Sequence, residues 1–409
     1  MEVCMKRGAI YLFILLFIIS GCGHLTDSRK DPEEFNYDNV LSFILRNQKR
    51  ESEELYTACE QILPVIVKEE KTDDYRKVIV IYNNNPDVFS RAMTLGFLYK
   101  EGMNDPVLRD SLFSASGRAE KLARSEAFYE GAAIYYAERE FTEDELRDRV
   151  TALRARIGDR YGQILTERRR YREALEMYES IVAHYKDADI LMHYATALNN
   201  MNRYEESLII SIEALKMAPG SLDAKTRLVE TAELLGYSKA EINTMVDETV
   251  FVGRNILRQN LLADELNIPM PSFNLRGVNT EAIVSEQFKN KILIINFFAT
   301  WCPPCRKEIP LVNDLYLKYK NDPRVEVFAV SIDEDTFLVP PFIKDYGLSL
   351  PVMYADGINR VFDIKGVPTI VIVDHEGIIR YKKIGYSEGE EFEKIMSWYI
   401  DEIKAAWDV

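Results

Sequence analysis

Two cysteines three residues apart, Cys302 and Cys305, are the residues of this 409-residue chain best placed to do chemistry. They lie in the segment FFATWCPPCRKEIP, directly after a continuous apolar run that begins at Ile292. This order predicts a strand, a tight turn and a helix with Cys302 in its first turn. The unpaired N–H groups and the positive end of the helix dipole favour a thiolate there, and Cys305 lies within reach to close a disulfide. The spacing therefore predicts a dithiol that transfers electrons.

A structural zinc site is the usual alternative for two cysteines at this spacing, and it requires two further ligands. The chain has no second cysteine pair of this kind. Among the histidines, His184 and His193 lie in a predicted helical region and His375 lies in a predicted turn. We therefore expect no metal at the pair, and the sequence implies no bound cofactor.

Three neighbours of the pair bear on its chemistry. Pro303 suits the first helical turn, where its missing N–H costs little. Pro304 also lacks an N–H, so one donor to the Cys302 sulfur is absent, which favours reduction of a partner disulfide. Glu308 follows Cys305 by three residues and lies on the helix face that looks back at the pair. A half-buried carboxyl there has a raised pKa and can carry a thiol proton; the alternative is a surface glutamate on an amphipathic helix.

The elements that position these residues alternate between strand and helix from residue 265 to residue 409. Strands are predicted at 272–276, 281–284, 291–298, 325–332, 351–354, 368–374 and 378–384. Helices are predicted at 303–320, 336–346, 358–363 and 388–405. This alternation indicates an α/β domain with a central sheet and helices on both faces.

The chain before this domain is predicted to be all-α. Helical periodicity runs through residues 38–154 without a clean repeat, and Pro64, segment 83–86 and segment 102–106 are expected to break it into short helices. Cys59 lies in one of these amphipathic patterns, which favours a buried structural thiol over a redox partner.

A repeat is visible in residues 155–262. Arg170-Tyr-Arg-Glu-Ala-Leu175 aligns with Arg203-Tyr-Glu-Glu-Ser-Leu208 at a spacing of 33, and Tyr237 falls 33 residues after Tyr204. This pattern resembles tetratricopeptide repeats, in which helix hairpins stack and bury their apolar faces. Other helix-hairpin solenoids, and a generic bundle with a chance repeat, remain alternatives.

The N-terminus has the features of a secretory signal: basic residues, a short apolar core and small residues before Cys22. The ending Ile19-Ser-Gly-Cys22 resembles a bacterial lipobox, which implies a signal peptide at 1–21, lipidation of Cys22 and a tether at 22–37. The alternative is cleavage nearby with an incidental cysteine. The net charge of −15 disfavours nucleic acid as a partner, and no stretch approaches the roughly 20 apolar residues of a membrane span.

Residues 265–409 resemble the TlpA/ResA-like group of thioredoxin-fold, membrane-tethered thiol–disulfide oxidoreductases. The residues that carry this resemblance are Trp301-Cys-Pro-Pro-Cys305, Glu308, Gly366-Val-Pro-Thr369 and the opening Pro271-Ser-Phe-Asn-Leu275. The resemblance implies that Cys302 attacks a client disulfide and that Cys305, which is expected to be the less exposed of the two, resolves the mixed disulfide.

The same resemblance assigns roles around the pair. Ordinary thioredoxins carry a buried aspartate at the position of Asn296, and in this group a glutamate at the position of Glu308 takes over the acid–base work. The proline that matches Pro368 is cis and faces the cysteines, which leaves a backbone edge at Val367 where an extended client segment pairs. Trp301, expected to be exposed beside the pair, completes the client-binding residues.

Together these features predict an extracytoplasmic thiol–disulfide oxidoreductase that reduces disulfides of envelope proteins. Its expected partners are protein thiol and disulfide clients, a membrane-bound electron donor, the membrane through the lipid anchor, and a protein on the helical repeats. The expected location is the bacterial cell envelope, facing the periplasm, on either the inner or the outer membrane. The alternative function is an envelope scaffold whose helical repeats do the main work, with redox activity accessory.

Overall fold

A computed structural model describes residues 37–50, 52–99, 105–137, 141–387 and 390–407 of the chain. It separates into two compact units. The first contains the residues up to Ala214 together with Glu230–Tyr237, and the second contains Leu215–Val229 and the residues from Ser238 onward.

The described elements before residue 264 are helices. Their bounds are α1 Tyr37–Asn47, α2 Glu53–Lys68, α3 Thr72–Tyr82, α4 Val88–Phe97, α5 Pro106–Ala123, α6 Glu126–Tyr136, α7 Glu143–Glu167, α8 Tyr171–Val182, α9 Ala188–Asn200, α10 Tyr204–Met217, α11 Leu222–Leu234 and α12 Lys239–Ala263. Side-chain caps begin several of them; Thr142 and Glu145, for example, form a reciprocal capping box at the start of α7. The expected all-α character of this region is confirmed.

Pro64 does not end a helix, contrary to the expectation from the sequence. It lies inside α2, which continues to Lys68. A proline within a helix costs roughly 3 kcal/mol because a hydrogen bond is lost and the ring crowds the preceding turn. The residues on both sides of it, Ile62, Leu63, Ile66 and Val67, are buried in the core of the first unit. Their burial in a continuous helix outweighs the local cost.

The turns that close α7, α9 and α11 share one geometry. Each contains a residue with a positive φ: Arg169 at 59°, Asn202 at 58° and Gly236 at 84°. In each, the next N–H donates back to a carbonyl five residues earlier, in the pairs Arg170 to Leu165, Arg203 to Leu198 and Tyr237 to Ala232. The turn therefore recurs at intervals of 33 and 34 residues. The third unit is one residue longer than the sequence alignment assumed, so Tyr237 matches Arg203 and not Tyr204.

The second unit contains a six-stranded mixed sheet in the order β1-β8-β7-β4-β5-β6. The strands are β1 Ile268–Pro269, β2 Asn274–Leu275, β3 Ile283–Val284, β4 Ile292–Phe298, β5 Val325–Ser331, β6 Val352–Tyr354, β7 Thr369–Val373 and β8 Ile378–Ile384, with β2 and β3 forming a separate pair. The helices are α13 Pro303–Tyr319, α14 Val339–Asp345, α15 Ile358–Val361 and α16 Phe392–Trp407. Strand β1 was not expected, because its two residues lie in a proline-broken stretch that gives no periodic signal.

Strand β4 is central and fully buried, and its alternate residues face two different cores. Ile292, Ile294 and Phe298 pack with α13, α14 and α16. Leu293, Ile295 and Phe297 pack with α15 and with Phe273 on the opposite side. This alternation places Asn296 on the side of α13, and the carboxyl end of β4 leads directly to the cysteine pair.

Helix α12 packs on the α/β domain within the second unit. Leu257, Leu261 and Leu262 contact the core beneath α13 and α16. Arg254 donates to both carboxylate oxygens of Glu391, with contacts of 2.8 and 2.5 Å. Apolar burial and a bidentate ion pair together fix this helix against the segment that precedes α16.

Candidate active site

The cysteine pair lies at the start of α13, where the sequence predicted it. Cys302 is the N-cap residue, with an extended backbone, and Pro303 begins the helix. The Cys305 N–H donates to Sγ of Cys302 over 3.3 Å. The two cysteines form a disulfide with a Cα–Cα distance of 5.2 Å. The first helical turn therefore holds both sulfurs together and directs a backbone donor at Cys302.

The turn between β4 and α13 is held by a buried aspartate at the end of β5. Asp333 accepts hydrogen bonds from the backbone N–H of Thr300 at 3.0 Å and from its hydroxyl at 2.6 Å. Ser331 donates to the same carboxylate at 2.6 Å. Arg306 donates from Nε to the Thr300 carbonyl at 2.7 Å, so the first turn of α13 also closes on this segment. These contacts fix the backbone that presents the pair.

The peptide bond between Val367 and Pro368 is cis. The Val367 carbonyl oxygen lies 3.5 Å from Sγ of Cys302. Thr369, the next residue, pairs with Phe297 of β4, and Gly385 donates its N–H to the Pro368 carbonyl at 2.8 Å. The fold therefore brings together two segments more than 60 residues apart that the sequence placed at one site.

The expected difference in exposure between the two cysteines is absent. The exposed fraction is 0% for Cys302 and 1% for Cys305. Trp301, which was expected to be exposed, is half-buried and packs against the same core. The carbonyl of Val367 lies close to the Cys302 sulfur, so the segment before Pro368 contributes to its burial.

Glu308 is not a surface glutamate. Its exposed fraction is 1%, and its carboxylate accepts a hydrogen bond from the Asn296 side-chain amide at 2.8 Å. Burial raises the pKa of Glu308 to about 7, against the opposing effects of Lys383 and Asn296, whereas the nearby charge of Glu390 raises it further. A carboxyl that titrates near neutrality can both take up and release a proton at physiological pH.

Two charged residues of this site were missed by the sequence reasoning. Lys383 is buried, and its Nζ lies 3.2 Å from Oε1 of Glu308 and 2.9 Å from Oε1 of Glu390. A signal was present, because the alternation of β8 places Lys383 on the same face as the buried Tyr381. Ile384 is exposed instead. A lysine on the inward face of a strand indicates a buried ion pair.

The remaining candidate residues lie elsewhere or outside the described ranges. Cys22 and the expected signal peptide belong to residues 1–36, which the structure does not describe. Cys59 is a free, buried thiol in the core of the helical unit. In the described parts of the chain, no three or more His, Cys, Asp or Glu side chains are grouped as a metal ion would require. Over the same ranges, no helix combines the length and apolar character needed to cross a membrane.

The α/β domain is similar to known proteins. The Redoxin family profile matches residues 265–396. The thiol-disulfide oxidoreductase ResA of Bacillus thuringiensis subsp. konkukian (strain 97-27) is 33% identical over 141 residues, covering 34% of this chain and 79% of that protein. ResA of Bacillus subtilis (strain 168) is 31% identical over 136 residues, covering 33% of this chain and 73% of that protein.

A solved structure of a thiol:disulfide interchange protein of the thioredoxin family, from Chlorobium tepidum TLS, is also similar. It is 30% identical with a TM-score of 0.30, and the match covers 32% of this chain and 95% of that one. The Redoxin and ResA matches confirm that the α/β domain is thioredoxin-like.

Proposed function

Because the chain belongs to the ResA-type thiol–disulfide oxidoreductases through its C-terminal domain, we propose that it reduces disulfides of envelope proteins outside the cytoplasmic membrane. The observation that carries this proposal is the disulfide at the start of α13, with a buried, proton-exchanging glutamate one turn further on. No bound cofactor is needed, because the two sulfurs hold and release the electrons themselves.

In the proposed reaction, the dithiol form of the pair meets a client disulfide. The Cys302 thiolate attacks one client sulfur, and the other client sulfur leaves as a thiolate and takes up a proton. The Cys305 thiolate then attacks Cys302 and releases the second client thiol. Two electrons pass to the client, and the pair ends as the disulfide seen here.

The assignment of Cys302 as the attacking residue is supported by its N-cap position. Its sulfur receives the Cys305 N–H and lies at the positive end of α13, and both effects favour a thiolate. Pro303 and Pro304 can offer no further N–H, so the thiolate is stabilised less than it would be by a donor-rich turn. A less stabilised dithiol gives up its electrons more readily, which supports the reducing direction.

Glu308 is proposed to take the proton of Cys305 in the resolving step. The residue lies on the same helix face as Cys305, at a spacing of three. At pH values above about 7 its carboxylate form can accept that proton. Asn296 keeps the carboxyl group oriented but cannot accept a proton at its amide.

The client is proposed to pair along the backbone at Val367 and Pro368 while Trp301 contacts its side chains. The Val367 carbonyl already lies at the Cys302 sulfur, so a strand paired there places its own sulfur within reach. Since Cys302 is fully buried in the oxidised form, the client segment is expected to displace the cover formed by Trp301.

The N-terminal segment supports a lipid anchor. We infer that Cys22 is lipidated after cleavage of residues 1–21, that residues 22–37 form a tether, and that the protein faces the periplasm and takes electrons from a membrane-bound donor. Cys22→Ser should leave an unprocessed precursor without lipid. Mass spectrometry that finds a mature N-terminus at another residue without acyl mass would contradict the anchor.

The helical region is proposed to be a tetratricopeptide-like array over residues 155–262, preceded by helices in residues 38–154, that binds a protein partner. The recurring turn at Arg169, Asn202 and Gly236 supports a repeat. The alternative remains an envelope scaffold in which this region does the main work.

The central experiment compares the mature chain with the fragment 265–409 in reduction of insulin disulfides, with the reduction potential of the pair measured for both. Equal activity of the two proteins at a low potential supports a reductase whose chemistry lies in the C-terminal domain. No activity of the reduced mature chain towards insulin or a peptide disulfide, with the fold intact, would leave the scaffold function as the better account.

A further inference from the structure

Lys383 is a buried lysine whose ammonium group has three oxygen neighbours. Its Nζ lies 3.2 Å from Glu308 Oε1, 2.9 Å from Glu390 Oε1 and 2.7 Å from the Gly385 carbonyl. An ammonium group has three N–H donors, so these three oxygens account for all of them. The lysine is therefore fixed between two carboxylates, one of which is the acid proposed to serve Cys305.

The position of Lys383 ties this ammonium to the client-binding edge. Gly385, which receives a hydrogen bond from Lys383, donates its own N–H to the Pro368 carbonyl at 2.8 Å. The same short segment thus contacts both the lysine and the proline beside the cysteine pair. Glu308, Lys383 and Pro368 belong to one connected set of contacts.

Glu308 has few charged neighbours among the described residues. Lys383 reaches it from β8 and Glu390 from the segment before α16, whereas β4 contributes the amide of Asn296. The cysteines precede it on its own helix. The phenols of Tyr381 and Tyr399 pack on the same side of the sheet, and burial raises both of their pKa values, so they stay neutral near pH 7.

We propose that Lys383 and Glu390 are positioning residues that set the proton affinity of Glu308 in opposite directions. Lys383 stabilises the carboxylate form of Glu308 by charge and hydrogen bonding. Glu390 opposes this effect in two ways: it adds a like charge, and it occupies one of the three lysine donors. The balance between the two keeps Glu308 able to exchange a proton near neutral pH, and this inference rests on the proposed role of Glu308.

The magnitudes favour this interpretation over a purely structural ion pair. A carboxyl as buried as Glu308 would remain protonated well above neutral pH without a cation, and would then be unable to accept a proton from a thiol. An opposite charge at this distance typically lowers a carboxyl pKa by about 1–3 units. That range is large enough to bring a buried carboxyl back to the pH at which thiols exchange.

The test is a carbon-13 NMR titration of the glutamate carboxyl groups in the oxidised mature chain, with Glu308 assigned by its loss in Glu308→Gln. Lys383→Met should move the Glu308 midpoint up by about 1–3 pH units. Glu390→Gln should move it down by a smaller amount. Lys382→Met is the matched control, because Lys382 is the next residue on β8 and donates instead to the Phe362 carbonyl; it should leave the midpoint unchanged.

A Glu308 midpoint that is the same in wild type and Lys383→Met would overturn the proposal. If Lys383→Met does not fold, Glu390→Gln decides, because it retains the cation; an unchanged or raised midpoint there would overturn the proposal equally. The titration needs no exchange activity. Disulfide exchange rates measured on the same samples can therefore reject the proposed proton transfer while the opposed midpoint shifts still support Lys383 and Glu390 as the tuning pair.

Discussion

Cysteines in two regions of this chain are equally buried and chemically unlike. Cys59 in α2 and Cys302 at the start of α13 both have an exposed fraction of 0%. Burial, with the charge of Glu60 adding to it, raises the pKa of the Cys59 thiol to about 12. Cys302 instead lies where a helix begins, with the Cys305 N–H directed at its sulfur. The position of a thiol relative to free backbone donors, more than its burial, decides whether it can react.

The same two helices also place a buried glutamate near a cysteine, with different results. Glu60 follows Cys59 directly, and neighbouring positions on a helix do not face each other. Its carboxylate accepts the Tyr82 hydroxyl at 2.8 Å and forms part of the core network of the helical unit. Glu308 follows Cys305 by three residues and so shares its face. A spacing of one residue gives a structural contact, whereas a spacing of three places an acid at the thiol.

The strongest test of the comparison removes each cysteine in turn. Cys302→Ser should abolish disulfide exchange, and Cys305→Ser should accumulate mixed disulfides with clients because the resolving thiol is gone. Cys59→Ser should retain exchange at the wild-type rate. The measurement is non-reducing electrophoresis after acid quenching, together with a peptide-disulfide assay. Equal trapping by the Cys302 and Cys305 variants would contradict the assignment of attacker and resolver.

A smaller effect is expected from the acid. Glu308→Gln should slow the resolving step by up to about 10²–10⁴-fold, less where water substitutes for the carboxylate. The wild-type rate should fall as the pH drops through about 7, because protonated Glu308 cannot accept the Cys305 proton. The variant should lack this step in stopped-flow measurements across a pH series.

The control for Glu308→Gln is Asp314→Asn, which removes an exposed carboxylate from the same helix. It should reproduce the wild-type pH–rate curve. Superimposable curves for wild type and Glu308→Gln would show that Glu308 is buried for structural reasons alone, as Glu60 is.

The burial of Glu308 should also appear in stability. Its pKa is about 7 in the folded chain against an ordinary 4.5, so between these values the folded state binds more protons than the unfolded state. Stability of the C-terminal domain therefore falls as the pH rises through this window. Glu308→Gln lacks this loss and should gain up to about 3 kcal/mol relative to wild type between pH 5 and pH 8.

Tryptophan fluorescence can follow this unfolding selectively, because Trp301, Trp398 and Trp407 are the only tryptophans and all lie in the C-terminal domain. Denaturant titrations of the oxidised proteins at pH 5 and pH 8 would give the difference. A constant gap between wild type and variant at the two pH values would contradict the raised pKa.

The smallest effect is expected at Cys59. Cys59→Ala should cost the helical unit about 1 kcal/mol through lost apolar burial and leave the reduction potential of the pair unchanged. In a reduced soluble form starting after Cys22, Cys59 should react with a thiol reagent only once the helical unit unfolds. Rapid labelling of Cys59 in the folded protein would remove the contrast between the two thiols.

Local patterns in the sequence predicted most of the C-terminal domain. The apolar run before Cys302 predicted β4, the proline after it marked the first turn of α13, and alternation identified β5, β7 and β8. A helical period placed Glu308 on the same face as Cys305. These inferences succeeded because each depends on residues within a few positions of one another, where helix and strand geometry fix which side chains share a face. The prediction at Pro64 failed because it weighed a local penalty without the burial of the residues around it.

Long-range contacts decided what surrounds the pair. Lys383 lies 75 residues after Glu308, and Asp333 lies 33 residues after Thr300. The sequence alone determined that a dithiol begins a helix with a glutamate one turn beyond it. Only the closed fold decided that the glutamate is dry, that a lysine and a second glutamate share its charge, and that both sulfurs are covered, because burial and charge pairing depend on which distant segments the sheet brings together.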